Sequence, residues 1–146
     1  MNLFGMLDVS ASAMTAERQR AEVVASNMAN AETTRTPEGG PYQRKLVVFQ
    51  SGAMQRFPRL LNALYRPNAR TEGVKVAAVV ADPAPPQMRY DPSHPDANAQ
   101  GYVAFPNVEP VREMVDLLGA VRAYEMNSSA VQAAKQMIQQ SLEIVK

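Results

Sequence analysis

The sequence predicts an α+β fold, with long N- and C-terminal helices paired in coiled-coil fashion around a small β-rich, proline-containing middle domain. Three observations point to it. All 11 prolines fall between Pro37 and Pro110, so the first 36 and the last 36 of the 146 residues contain no helix breaker. Both proline-free arms carry apolar residues at alternating steps of three and four. The stretch between them holds short β-branched and aromatic runs separated by Pro, Gly and Asp. The expected division is 1–36 for the first helical arm, 37–110 for the β-rich domain and 111–146 for the second arm.

In the first arm, steps from Leu3 give Leu3, Leu7, Ser10, Met14, Glu17, Ala21, Val24 and Met28, of which six of eight are apolar. Glu17, Arg18, Arg20 and Glu22 read as a solvated face with some i to i+4 pairing. Asn27 and Asn30, three apart near the end of the arm, suit amide hydrogen bonds to neighbouring backbone, or a simple polar helix terminus.

The middle offers strands at Tyr42 to Phe49 and at Val74 to Val80, the second with Val74, Val76, Ala78 and Val80 on one face. Two shorter ones are Met88 to Tyr90 and Tyr102 to Phe105. Turns are marked by Pro37 to Pro41, Pro83 to Pro86 and Asp91 to Pro95. From Gly40 through Thr71 there is no acidic residue, and near 54–70 a basic insert carries Arg56, Arg59, Arg66 and Arg70. Those arginines suit either a solvated loop or contact with an acidic partner.

The second arm gives Met114, Leu117, Val121, Tyr124, Ser128, Val131, Lys135, Ile138, Leu142 and Val145, eight of ten apolar. Pro110 fits the first helical turn, with Asn107 or Glu109 as cap. A helix from Val111 to Val145 is ~50 Å long at 1.5 Å per residue. That is more than a chain of this size can enclose. The arms therefore either form a helical hairpin or rely on further copies of the chain to cover them. Gly119 costs about 1 kcal/mol against alanine in a helix interior, which marks a close contact or a bend.

Composition excludes much chemistry. With 15 basic and 14 acidic residues the net charge is +1, so no overall field favours nucleic acid. No cysteine is present, which removes disulfides, iron–sulfur clusters and thiolate zinc sites. The first residues lack the basic start and apolar run of a secretory signal. The single histidine, His94, lies in a His-Pro-Asp tripeptide like that of J-domain cochaperones, but the prolines around it deny the flanking helices such a domain needs. It reads as a turn capped by Asp91 and Asp96. No catalytic constellation, metal site or cofactor-binding motif is found, so the chain is not expected to be an enzyme, to hold a cofactor or to act on a small-molecule substrate.

The segment Ala25-Ser26-Asn27-Met28-Ala29-Asn30-Ala31-Glu32-Thr33-Thr34 closely resembles the Asn-x-x-Asn-x-x-Thr motif of bacterial flagellar rod, hook and hook-associated proteins. The likeness continues through Pro41 to Gln50. Tyr90 to Ala97, Gly101 to Val108, Glu113 to Leu118 and Arg122 to Asn127 are similar to the proximal-rod branch of that axial-protein family. The departure lies between Ser51 and Glu72, where members of the family are usually shorter and less basic.

The resemblance implies terminal helices packed into the inner tube of the flagellar axis and a middle domain outside it. It implies delivery by the flagellar type III export system, location in the basal body, and transmission of torque by a rigid shaft whose bore passes exported chains. The implied partners are copies of itself, other rod subunits, and proteins of the membrane-ring junction and the export gate. The residues expected to form the assembly interface are Leu3, Leu7, Met14, Ala21, Val24, Asn27, Met28 and Asn30 in the first arm. In the second they are Met114, Leu117, Val121, Tyr124, Val131, Ile138, Leu142 and Val145. Two alternatives remain: another rod protein of the same family, and a binding module for cell wall or nucleic acid built on the basic insert.

Overall fold

A computed structural model describes residues 3–51 and 73–144. Its elements run α1 (Leu3–Ala29), β1 (Lys45–Ser51), β2 (Val74–Ala81), β3 (Gln87–Tyr90), β4 (Tyr102–Phe105) and α2 (Pro110–Ile144). The α+β class holds: two long helices flank short antiparallel strands. Among the described residues no helix is long and apolar enough to cross a membrane.

The helix ends follow local chemistry. α2 begins at Pro110, whose fixed φ suits a helix and whose missing N–H costs nothing in the first turn. The Glu109 carbonyl accepts from the Glu113 N–H at 3.1 Å, which makes Glu109 the capping position. Asn107, the other expected cap, instead accepts at its side-chain oxygen from Gln87 Nε2 at 3.0 Å. At the end of α1 the Ser26 carbonyl accepts twice from Asn30, from its N–H at 3.1 Å and from its side-chain Nδ2 at 2.9 Å, which fixes the Asn30 side chain against the last turn.

The two helices pack side by side in opposite directions, since Asn27 near the end of α1 meets Glu113 near the start of α2, and Arg20 meets Asp116. The residues sealed between them are small or polar: Ser10, Ala16, Val24 and Asn27 from α1, and Glu113, Ala120 and Ala134 from α2. Along α1 the expected stripe lies beside this seam, with Leu7, Met14, Ala21 and Met28 half-buried.

Along α2 the expected stripe is rotated away from the seam. Leu117, Val131 and Ile138 are half-buried, but Met114, Val121, Tyr124 and Leu142 are exposed. The reason is the close approach that alanine and serine on α1 permit, which leaves room between the helices only for Ala120 and Ala134 and displaces the larger side chains to the flanks. The Leu3 side chain and Val145 lie outside the described parts of the chain, as do Arg56, Arg59, Arg66 and Arg70. The charged face of α1 is only partly solvated. Arg18 and Glu22 form an exposed i to i+4 pair at 3.4 Å, whereas Arg20 turns to Asp116 across the seam.

β1 and β2 pair antiparallel from Lys45 opposite Ala81 to Ser51 opposite Val74. A bulge interrupts the ladder, because Val48 faces Ala78 while the next residue, Phe49, faces Val76, leaving Ala77 unmatched. The alternation expected of β2 holds only in its first half: Val74 and Val76 are half-buried, whereas Ala77 to Ala81 are all exposed. β3 and β4 form a second antiparallel pair, Gln87 opposite Phe105 through Tyr90 opposite Tyr102, with Val103 buried beneath it.

The connection between β3 and β4 is the expected turn. The Asp91 carboxylate accepts from Ser93, as anticipated. Asp96 does not cap the turn; it accepts from the Thr34 hydroxyl at 2.8 Å and ties this loop to the one after α1.

Candidate functional site

The chemistry of the molecule is concentrated where the end of α1, the start of β1 and the first turn of α2 converge. Asn27 is 1% exposed and Glu113 0%. A buried side-chain amide has two N–H donors and an oxygen with two lone pairs. Asn27 has a partner for each. Its Nδ2 donates to the Lys45 carbonyl at 2.9 Å and to Glu113 Oε2 at 3.0 Å. Its Oδ1 accepts from the Lys45 N–H at 2.9 Å and the Tyr42 hydroxyl at 3.0 Å.

Glu113 is as fully engaged. Its Oε1 accepts from Arg44 Nε at 2.7 Å and lies 2.6 Å from Arg44 Nη2. Both nitrogens converge on one carboxylate oxygen in a short, charge-assisted contact, which leaves Oε2 for Asn27. The Arg44 side chain is 13% exposed, and Asp82 just beyond β2 stands 3.4 Å from its Nη1. Burial works against the guanidinium charge, but hydrogen bonds and charge attraction from Glu113 and Asp82 outweigh it and raise the affinity of Arg44 for its proton. Asp116, one turn along α2, lies 3.8 Å from Arg44 Nη2 and accepts from Arg20 at 3.1 Å. Acidic and basic groups from α1, β1, α2 and the end of β2 therefore interleave in one network.

This geometry gives the Asn-x-x-Asn-x-x-Thr pattern a physical account. Asn27 is spent inside the junction, and Asn30 closes the helix end. The Thr33 hydroxyl donates to Asn30 Oδ1 at 3.2 Å, while the Thr33 carbonyl accepts from the Tyr42 N–H at 3.0 Å. The motif brings the chain out of α1 and back onto it at β1. The sequence expectation that Asn27 bonds neighbouring backbone finds that backbone in Lys45 of the same chain, so this amide has no capacity left for another subunit.

Sequence reasoning singled out Asn27 and Asn30 but missed Tyr42, Arg44, Asp82, Glu113 and Asp116 as a group. Arg44 and Glu113 entered within segments similar to the rod family, Pro41 to Gln50 and Glu113 to Leu118. Their pairing across 69 residues has no local signature. The one available hint was an acidic residue between the apolar Val111 and Met114. Among the described residues, no group of three or more His, Cys, Asp or Glu side chains gathers as a metal site. Three carboxylates, Glu113, Asp82 and Asp116, are interleaved with two guanidinium groups, Arg44 and Arg20, an arrangement that holds segments together.

A second face opposes the first. On the side of α2 turned away from α1, Val111, Met114, Val115, Leu118 and Met126 are exposed, Leu118 at 57%. Farther along the same helix the exposed residues are mostly polar, Ser129, Gln132, Gln136, Gln139 and Gln140 among them, with Met137 and Leu142 the exposed large apolar ones. The outward side of α2 thus carries a cluster of exposed apolar side chains in its first half, with exposed Arg122 and Glu125 after them, and is mainly polar in its second. Gly119 sits in the apolar half, and a Cβ there would meet nothing within 4 Å. Of the close contact or bend expected of this glycine, the described residues make no close contact.

Comparison with known proteins places matches at both ends. Residues 7–35 match the family model described as flagella basal body rod protein, and residues 99–144 the one described as flagellar basal body rod FlgEFG protein C-terminal. Over their full lengths, the chain and the flagellar basal-body rod protein FlgC of Bacillus subtilis strain 168 are 46% identical. The FlgC protein of Borreliella burgdorferi is 39% identical, with 100% of this chain and 99% of that one aligned. The FlgC protein of Escherichia coli O157:H7 is 41% identical over 99% of this chain and 98% of its own.

Proposed function

The chain belongs to the FlgC family of flagellar basal-body rod proteins and is a structural subunit of that rod; on this premise, we propose that it assembles helically through its terminal helices in the proximal part of the shaft. The α1–α2 pair acts as a coiled-coil-like inner unit, residues 37–110 as the outer domain, and the whole transmits torque around a bore that passes exported chains. Its partners in this reading are further copies, other rod subunits, and proteins at the membrane-ring junction and the export gate. It reaches them through flagellar type III export. The role is mechanical, with no catalytic step.

One observation carries the reading: the outward side of α2 exposes a cluster of large apolar side chains, Val111, Met114, Val115 and Leu118 with Met126 beyond exposed Arg122 and Glu125, that has no partner among the described residues. A helix that is apolar on both sides is stable in water only when both sides are covered. The seam with α1 covers one side, and neighbouring subunits cover the other. Met114 and Val121 from the expected interface lie on or beside that second side, while Leu117, Tyr124, Val131 and Ile138 border the seam. The glutamine-rich second half of the outward face suits a wet surface, as a channel lining requires.

The test is Leu118→Glu, expressed in place of the natural subunit. The substitution leaves the chain folded, because Leu118 touches no core, and abolishes swimming and rod completion by placing a charge in a dry contact. Wild-type swimming by Leu118→Glu would overturn the assembly face. The alternative of a basic-insert binding module predicts the opposite pattern, with function surviving Leu118→Glu and lost when Arg56, Arg59, Arg66 and Arg70 become glutamine.

A further inference from the structure

We infer that Asn27, Glu113 and Arg44 are positioning residues that couple the docking of α2 to the placement of the β1–β2 hairpin. The hairpin is then held along α1 by two pins, only one of which depends on α2. The mechanical consequence rests on the rod reading; the coupling itself does not.

The first pin is the junction. Asn27 uses two of its four hydrogen bonds on the N–H and C=O of a single residue, Lys45, which opens β1. That is what a neighbouring strand residue would offer, so the amide extends the ladder by one rung and fixes where β1 begins relative to α1. Arg44, the residue before Lys45, is held by Glu113 of α2. Asn27 and Glu113 also bond each other. The three contacts close a triangle joining α1, the hairpin base and α2.

A closed triangle of buried polar groups gives the coupling its sign. With α2 docked and the hairpin displaced, Glu113 is a fully buried carboxylate without its guanidinium. With the hairpin in place and α2 withdrawn, Arg44 keeps Asp82 but loses its shortest partner, and one Asn27 donor loses its acceptor. Leaving one member of a buried ion pair alone is costly. Each docking event therefore favours the other.

The second pin stands at the opposite end of the hairpin. Ser12 of α1 accepts at its hydroxyl oxygen from the Val74 N–H, 3.0 Å away, at the start of β2, and donates to the Val9 carbonyl. Gly73 lies so close that a Cβ there would overlap the Ser12 hydroxyl. Lys45 pairs with Ala81 and Val74 with Ser51, so the two pins mark the two ends of the ladder. The spacings agree. Fifteen residues of α1 from Ser12 to Asn27 span ~22 Å at 1.5 Å each, and the six steps from Lys45 to Ser51 span ~20 Å at about 3.3 Å each. None of the bonds at the Ser12 pin involves α2. In a rod, a twist applied to the middle of the chain enters the helical pair through both pins, and the Asn27 pin closes only when α2 has arrived.

Hydrogen exchange on the purified full-length chain tests this, with sucrose added stepwise to favour the compact state. In the parent chain, protection at Lys45 to Val47 and protection across Glu113 to Ala120 should appear at the same sucrose concentration. In Glu113→Ala, exchange should speed up about tenfold or more at Lys45 to Val47 and Val79 to Ala81, with little change at Ser51 and Val74. Ser12→Ala should give the reverse gradient. Glu113→Gln, which keeps a bond to Asn27 without the charge, should fall between parent and alanine variant, and it serves if the alanine variant fails to fold. Equal loss at both ends, no loss at the Lys45 end, or protection of Lys45 while α2 exchanges freely would each overturn the coupling. Normal exchange gradients in a chain that swims without its Val111–Met126 face would sink the rod assembly reading and leave the coupling standing.

Discussion

Asp91 shows how single residues hold the irregular parts of this chain in place. Its carboxylate accepts from the Ser93 hydroxyl at 2.7 Å and from the Ser93 N–H at 3.1 Å. The hydroxyl bond first, and then the backbone bond, stabilise the charged form and hold the carboxyl below its ordinary value of 3.8. A carboxyl whose folded value is depressed contributes to the fold fully above its unfolded value, and the contribution is lost as pH falls through the folded value. The turn should therefore loosen only in acid. An NMR titration of the Ser93 amide is expected to show a midpoint below 3.8, and Ser93→Ala should move the Asp91 midpoint up towards 3.8. A glycine completes the same loop: Gly101 has φ of +81°, and a Cβ there would stand 2.8 Å from the Tyr90 ring, so any side chain at this position is strained.

Between elements, the α1–α2 seam is where packing is least forgiving. Ala120 and Ala134 are sealed between the helices, at 1% and 0% exposure. Ala120→Leu should cost about 1–3 kcal/mol, because the close helix approach leaves no volume for a longer side chain. Exposed Ala133 on the same helix is the control, and Ala133→Leu should change stability little. Urea unfolding of both variants measures the difference. The helices and strands themselves were legible in the sequence, since period 3.5 and proline position act over a few residues: all four strands fall within a few residues of their expected bounds, and α2 starts at Pro110. Which side of α2 meets α1 was not legible. Large apolar residues occupy most of its circumference in the first half, and the choice fell to the small residues that let α1 come close.

For the whole molecule, Gly119 separates what the single chain needs from what the assembly needs. Among the described residues nothing approaches within 4 Å of a Cβ placed there, so Gly119→Ala should stabilise the free protein by about 1 kcal/mol through helix propensity. If a neighbouring subunit packs against this face, the same methyl group should impair swimming. A more stable but less motile variant is the expected outcome in paired thermal unfolding and soft-agar assays. Unimpaired swimming would remove the neighbour from Gly119.

The sequence by itself determined the elements, their order, and membership of a family of axial proteins, because these depend on local periodicity, on breakers and on short contiguous motifs. It also picked out Asn27, though not what Asn27 does. Only the tertiary structure decided that Glu113, Arg44, Asp82 and Tyr42 belong with Asn27. A buried carboxylate and its guanidinium 69 residues apart leave no periodic trace, and the cost of stranding either one exists only once folding has taken both out of water.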